Sequence, residues 1–326
     1  MSLQDASAAQ VTSQMEIDSV RRLQSFRLGR RLLRRPLALA AIAVIVVVYG
    51  LGILAPWIAP YGFGETDLHN RFAGPSSEHL MGTDRLGRDV LSRLIWSSQT
   101  TVIISVATLA AGGLALGVTL GLMSGYFGGR VDSVIMRTAD TFHSVPTILL
   151  LLIINTTMRD RVEELFRNIE DVTGIGGIVA SGAPNYILVF GTLSIFSWVG
   201  MARLVRSQVL ALRESGYVLA ARASGASTAR VLFKHLLPNL SNLLVVAITL
   251  SLGAAAAAEV GLSFLGIGVR LPHASFGIMV SEYAGPSNVR THFDLILYPA
   301  LVISGLMLAF NLLGDALTEV LSPRRR

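Results

Sequence analysis

YVLAARASGASTARVLFKHLLPN, residues 217–239, lies between two long apolar stretches and reads as a basic helix, a turn and a second helix. From Tyr217 to Ser224 most residues are good helix formers. Gly225 can take the left-handed conformation that ends a helix, and Ser227 can accept the backbone hydrogen bond that starts another. Pro238, with no N–H to donate, suits the first turn of the apolar helix that follows. Arg222, Arg230, Lys234 and His235 make the segment positive and exposed, while Ala220, Ala221 and Ala223 keep it slim enough to enter a groove on another protein. The expectation is a handle by which a membrane helix bundle is gripped from outside, with no catalytic group in it. The plainer reading is that loops beside membrane helices are often basic and helical.

The surroundings of this segment are those of a membrane protein. Of 326 residues 52% are hydrophobic and 15% charged, with mean hydropathy +0.59, outside the usual range of soluble domains. Five apolar stretches approach or exceed the roughly 20 residues that cross the hydrocarbon core: about 37–59, 100–123, 185–205, 240–266 and 294–313. A sixth, 145–157, is short. It crosses only if the amphipathic run from Val131 is the other end of the same helix, kinked near Pro146. The expected fold class is all-α, a polytopic bundle of six transmembrane helices.

An even number of spans puts both termini on one side. That side carries the Arg-rich first 36 residues, Arg130 and Arg137, the six basic residues from Arg203 to Lys234, and Arg324–Arg326: two thirds of the 27 Lys and Arg. The positive-inside rule makes it cytoplasmic, N and C termini included, and brings the 217–239 segment with it. The basic balance then reflects topology and not nucleic-acid binding. The domain plan is a cytoplasmic tail, 1–36, and one membrane domain, 37–326, with an external segment at 60–98 and a cytoplasmic hairpin at 207–239. The first span is read as uncleaved, and Arg30, Arg31, Arg34 and Arg35 as a juxtamembrane cluster rather than a twin-arginine signal. Within 60–98 the pattern Val90, Leu91, Leu94, Ile95 suggests an amphipathic helix on the outer interface. Residues 158–184 suggest another external amphipathic helix and a Gly-rich turn.

Spacing sharpens the handle reading. The segment resembles the EAA loop of ABC importer permeases, a Glu-Ala-Ala triplet with Gly four residues after its last Ala and Leu-Pro twelve beyond. Ala220, Ala221, Gly225, Leu237 and Pro238 occupy those places, and Leu219 stands where the family has Glu. RRPLALAAIAV, HLMGTDRLGRDVLSRLI, Trp198 with Ala202–Arg206, and Glu259 before LSFLGIG are similar to C-type permeases of the dipeptide, oligopeptide and nickel importer branch. The resemblance covers about 30–320. It implies a type I importer permease carrying di- or oligopeptides. It further implies pairing with a B-type permease in the bilayer, two cytoplasmic ATPases docked on Tyr217, Ala220–Arg222, Gly225–Ser227, Arg230, Leu237 and Pro238, and an external solute-binding protein.

Other residues fill in the mechanism. Gly113, Gly117, Gly121 and Gly125 recur every fourth position, as stacked small residues do where helix backbones approach closely. Glu259 follows five alanines inside a span, where a carboxylate must face protein or water. It can line the translocation path, brace two helices by hydrogen bonds, or serve a proton- or ion-coupled secondary transporter. Asp140 and His143 share a helix face but do not by themselves make a metal site. No cysteine is present. Lys234, the single lysine, has no Walker A context, so ATP and Mg²⁺ are expected on partner subunits and no cofactor or metal on this chain. An intramembrane hydrolase lacks a nucleophile, base and orienter set.

Overall fold

A computed structural model describes residues 32, 34–271, 273–285 and 290–321. The basic cluster from Arg21 to Arg31 and Arg324–Arg326 lie outside the described residues. Ten helices organise the described chain: α1 Pro36–Ile58, α2 Val90–Phe127, α3 Gly129–His143, α4 Thr147–Thr173, α5 Ala183–Leu212, α6 Gly216–Ala223, α7 at 228–239, α8 Ser241–Phe264, α9 Phe276–Tyr283 and α10 Asp294–Leu321. Among the described residues there is no strand, only an isolated bridge between Thr83 and Asp89.

Five helices, α1, α2, α5, α8 and α10, are long and apolar enough to cross a membrane. The pair α3 and α4 makes a sixth span only if counted together across an 85° bend. The sequence predicts a kink near Pro146, and the structure turns it into a break. Pro146 has no N–H and forces Val145 out of the helical region, while Ser144 Oγ donates to the Thr141 carbonyl at 2.7 Å. Two further expectations are corrected. The amphipathic pattern from Val90 is not a separate interface helix. Asp89 caps it by accepting from the Ser92 N–H at 2.7 Å, and nothing breaks it before Phe127, so Val90, Leu94 and Ile95 are the buried first turns of α2. The helix and Gly-rich turn expected in 158–184 are both present, the turn at Gly174, Gly177 and Gly182, but the helix is the uninterrupted continuation of α4 and not a separate element.

α1 and α10 flank α8 and α2. Gly52 of α1 sits so close to the Ser98 backbone that a Cβ would lie 2.7 Å from it, and Tyr49 bonds Ser105 Oγ at 2.8 Å. Most of α1 is outward-facing and apolar, the pattern of a helix whose solvent is hydrocarbon. At the end of the bundle opposite α6 and α7, four charges are buried together. Arg88 and Arg93 share Asp84 and Glu282 at 2.6–3.0 Å, pinning the 60–89 segment to α9. Tyr283 accepts from the Arg85 N–H at 3.3 Å, and burial pushes its phenol above the usual range, helped by the Asp84 charge.

The glycine ladder packs α2 on α5. Cβ atoms at Gly117, Gly121 and Gly125 would come within 2.7 Å of Met201, of Ala202 and Val205, and of Val209. Gly113 departs from the predicted register and faces a cavity. Gly112 takes the fourth contact instead, against Ser194 and Ser197. The reason is that Leu109–Val118 is π-helical, and a wider turn puts residues five apart, Gly112 and Gly117, on one face.

Candidate functional site

The hairpin begins where α5 ends. Arg213 N–H still bonds the Val209 carbonyl, and the chain turns at Ser215, whose carbonyl accepts from Val218 and Leu219 N–H to start α6. Gly225 closes α6 at φ +76°. Its N–H bonds the Arg222 carbonyl at 3.0 Å and the Ala226 N–H bonds Ala221 at 3.0 Å, the paired bonds of a Schellman end. Open space surrounds Gly225, so the backbone angle and not crowding calls for glycine. Ser227 Oγ accepts from the Arg230 N–H to open α7. α7 contains a widened turn, Val231–Leu236, that the sequence reading lacks, and Pro238 follows it without an N–H. Leu237 is half-buried and Pro238 exposed.

One face of this hairpin is bolted down. Val218, Val231, Leu232 and Leu236 are buried against Val118 and Leu122 of α2 and Met201, Val205 and Val209 of α5, with Ala226 and Leu237 partly buried beside them. These are the same stretches of α2 and α5 that the glycine ladder holds together, so the hairpin and the two helices form one packed unit. The other face is open. Tyr217, Leu219 and Phe233 are 41%, 49% and 57% exposed, and Ala220, Arg230 and Lys234 are exposed as well, so the free side of the hairpin carries both apolar and basic residues. Leu219, in the place of the family's Glu, adds to the apolar part of this face.

Arg222 has a partner within the chain: its guanidinium lies over the Tyr126 ring, 5.9 Å from the centroid. Arg213 reaches the Gly125 carbonyl at 3.3 Å. Both tie the hairpin to the last turn of α2. Sequence reading did not single out Tyr126 or Arg213; the signal was an aromatic and a basic residue at two helix ends, a pairing visible only once α2 and α5 are seen to be neighbours. Next to them Arg206 forks onto Asp132, which also accepts from Ser124, and Arg203 bonds Asp140 at 2.7 Å. Two ion pairs thus latch α3 to α5. Asp140 and His143 do not meet, because Asp140 turns to Arg203 and His143 to a cavity.

That cavity, about 280 Å³, lies at the bend between α3 and α4. Gly113, Phe142, His143, Thr147, Ser197 and Ser251 are on its wall, as is Thr108, whose buried Oγ1 has no hydrogen-bond partner. Glu259 does not line it. Fully buried, Glu259 accepts from Thr101, Ser263 and Ser275 hydroxyls at 3.1, 3.0 and 2.7 Å, joining α2, α8 and the start of α9.

Comparison with known proteins agrees with this architecture. Residues 117–326 match the family described as "Binding-protein-dependent transport system inner membrane component", and 26–75 match the N-terminal TM domain of oligopeptide transport permease C. The chain is 34% identical over 297 residues to the dipeptide transport system permease protein DppC of Bacillus subtilis (strain 168), covering 91% of this chain and 85% of that protein. It is 32% identical over 296 residues to the glutathione transport system permease protein GsiD of Pectobacterium atrosepticum, covering 90% and 89%. A solved structure of the inward-facing MetNI methionine ABC transporter shares the fold, with TM-score 0.51 and 18% identity over 72% of this chain and 97% of that one. Built as it is from apolar spans around a projecting hairpin, the chain belongs to the family of inner-membrane permease components of binding-protein-dependent ABC importers, in its DppC/OppC-like branch.

Proposed function

We propose that this chain is the C-type half of a peptide importer's membrane pathway. It pairs with a second, B-type permease, and it is moved by two cytoplasmic ATPases that receive the 216–239 hairpin in a groove. An external solute-binding protein delivers the cargo. ATP and Mg²⁺ belong to the ATPases. The cargo class follows from the named relatives, which are dipeptide, oligopeptide and glutathione permeases.

The observation that carries the coupling role is the two-faced hairpin. Its inner face is packed onto α2 and α5 through Val218, Val231, Leu232 and Leu236, and its outer face exposes Tyr217, Leu219 and Phe233 together with Arg230 and Lys234. A push on the outer face therefore moves the ends of both helices as a body. The latch of Arg203 and Arg206 on Asp140 and Asp132 carries that motion to α3 and so to the bend cavity, this chain's contribution to the path. Glu259 is an internal brace in this account, and a proton-coupled carrier built on it has no support from its three hydroxyl donors.

The test is co-reconstitution with the ATPases and the second permease. Arg230→Glu with Lys234→Glu should lose the ATPases on purification. Arg222→Gln should keep them bound, yet hydrolyse ATP with transport reduced several-fold, because its work is the tether to Tyr126. ATPases that co-purify unchanged with the double charge reversal, and transport normally, would overturn the docking assignment.

A further inference from the structure

At the bundle end opposite the hairpin, a pocket of about 420 Å³ opens between the upper part of α4, the start of α5 and the 265–274 loop. Arg159, Asp160, Glu163, Asn185, Arg270 and His273 are on its wall. Arg159 is the anomaly. The buried Arg88 and Arg93 and the part-buried Arg206 each bond a carboxylate. Arg159, half-buried, bonds only neutral oxygens: Nη1 donates to Asn185 Oδ1 at 2.6 Å and Nη2 to the Gly268 carbonyl at 3.2 Å. Its Nε–H is buried without an acceptor among the described residues, as is that of Arg93, whose two terminal nitrogens are nevertheless both on carboxylates. Glu163, the near carboxylate, is turned away to Arg167 at 2.7 Å. A second guanidinium, Arg270, lines the same pocket, where its charge opposes that of Arg159, and among the described residues its hydrogen bond is to the Gly266 carbonyl at 3.2 Å.

A buried donor left without an acceptor is destabilising, and a second guanidinium on the same wall adds like-charge repulsion. Such an arrangement persists where a ligand completes it. We propose that this pocket binds a singly charged, two-oxygen anionic group, gripped by Arg159 and Arg270. With Glu163 neutralised by Arg167, Asp160 offsets one of the two guanidinium charges, and the single positive charge left over suits a monoanion and disfavours a dianion. In the first turn of α5 the Asn185 N–H, which has no helical acceptor, is a further donor on this side. A carboxylate of a free solute and the phosphodiester of a lipid headgroup have this same chemistry, and the α4 position beside an apolar span makes both reachable.

The full chain in phosphatidylcholine nanodiscs is titrated with N-acetylglycine, and with N-acetylglycinamide as the uncharged control, by calorimetry. A second arm counts retained phosphatidylglycerol by native mass spectrometry. If the source is a solute, N-acetylglycine binds saturably, the amide does not, and Arg159→Gln and Arg270→Gln each weaken binding at least about tenfold. If the source is a lipid, the wild type holds one more phosphatidylglycerol than either variant. Arg270→Gln decides the matter if Arg159→Gln fails to fold, because Arg270 makes no bond to another helix. No Arg270-dependent binding in either arm overturns the proposal.

Discussion

The two ends of the molecule handle charge in opposite ways. At the end away from the hairpin, Asp84, Arg88, Arg93 and Glu282 are buried and pair each cation with two carboxylates, which ties the segment before α2 to the helix α9. At the hairpin end, Arg230 and Lys234 stay in solvent beside bare aromatic and aliphatic surface, while apolar side chains below hold the hairpin in place. Charges satisfied inside the chain make a rigid plate. Charges held in solvent above an apolar anchor leave a surface open, the one the proposed ATPase docking would use. Rigidity at one end and availability at the other are what a lever needs.

The largest effect should come from breaking the plate. Arg93→Met strands Asp84 and Glu282 without one of their cations in a buried site, and is expected to cost about 3–5 kcal/mol, read as loss of folded protein in denaturant or thermal unfolding of the chain in detergent. Gly121→Leu comes next. A Cβ there would lie 2.7 Å from the Ala202 carbonyl oxygen and Val205, so α2 and α5 must separate, at about 1–3 kcal/mol or more. It should also loosen the hairpin that rests on the same helices, detected as faster hydrogen exchange at 216–239. Gly113→Ala should do little of this, and an equal loss for both would refute the π-shifted register.

Glu259→Gln should cost about 1 kcal/mol, since the amide retains one acceptor for three hydroxyl donors. Transport in vesicles should fall no more than expression does; a large transport defect with normal expression would return Glu259 to the path. The smallest effect concerns an exposed turn. His69 N–H and the Asn70 carboxamide hold the Asp67 carboxyl below the ordinary range. A lowered folded-state pKa contributes stability above the unfolded value, lost as pH falls through the folded one. The amide of His69 should therefore lose protection only below roughly pH 4, with no change in the buried cluster's signals.

The gross fold was legible because membrane spans declare themselves by length and hydropathy. The helix–Gly–Ser–helix grammar of 217–239 was legible for a similar local reason: Gly225 and Ser227 act on backbone groups within a few residues. HLMGTDRLGRDVLSRLI was readable as a likeness but not as a charge cluster, because Glu282 lies almost two hundred residues on. The break at Pro146 was visible, its 85° angle was not, since Pro removes a bond without saying where the chain must go. The four-residue glycine repeat suggested Gly113, and only the widened turn of α2 moved the contact to Gly112.

Sequence by itself determined the spans, the caps and the hairpin, because these depend on side-chain hydrophobicity and on hydrogen bonds between near neighbours. Tertiary structure alone decided that Arg222 rests on Tyr126, that Glu259 is a brace with three donors, and that Arg159 lacks the carboxylate that Arg88, Arg93 and Arg206 have. Those outcomes depend on which helices lie side by side, and contacts between distant segments leave no mark in local composition.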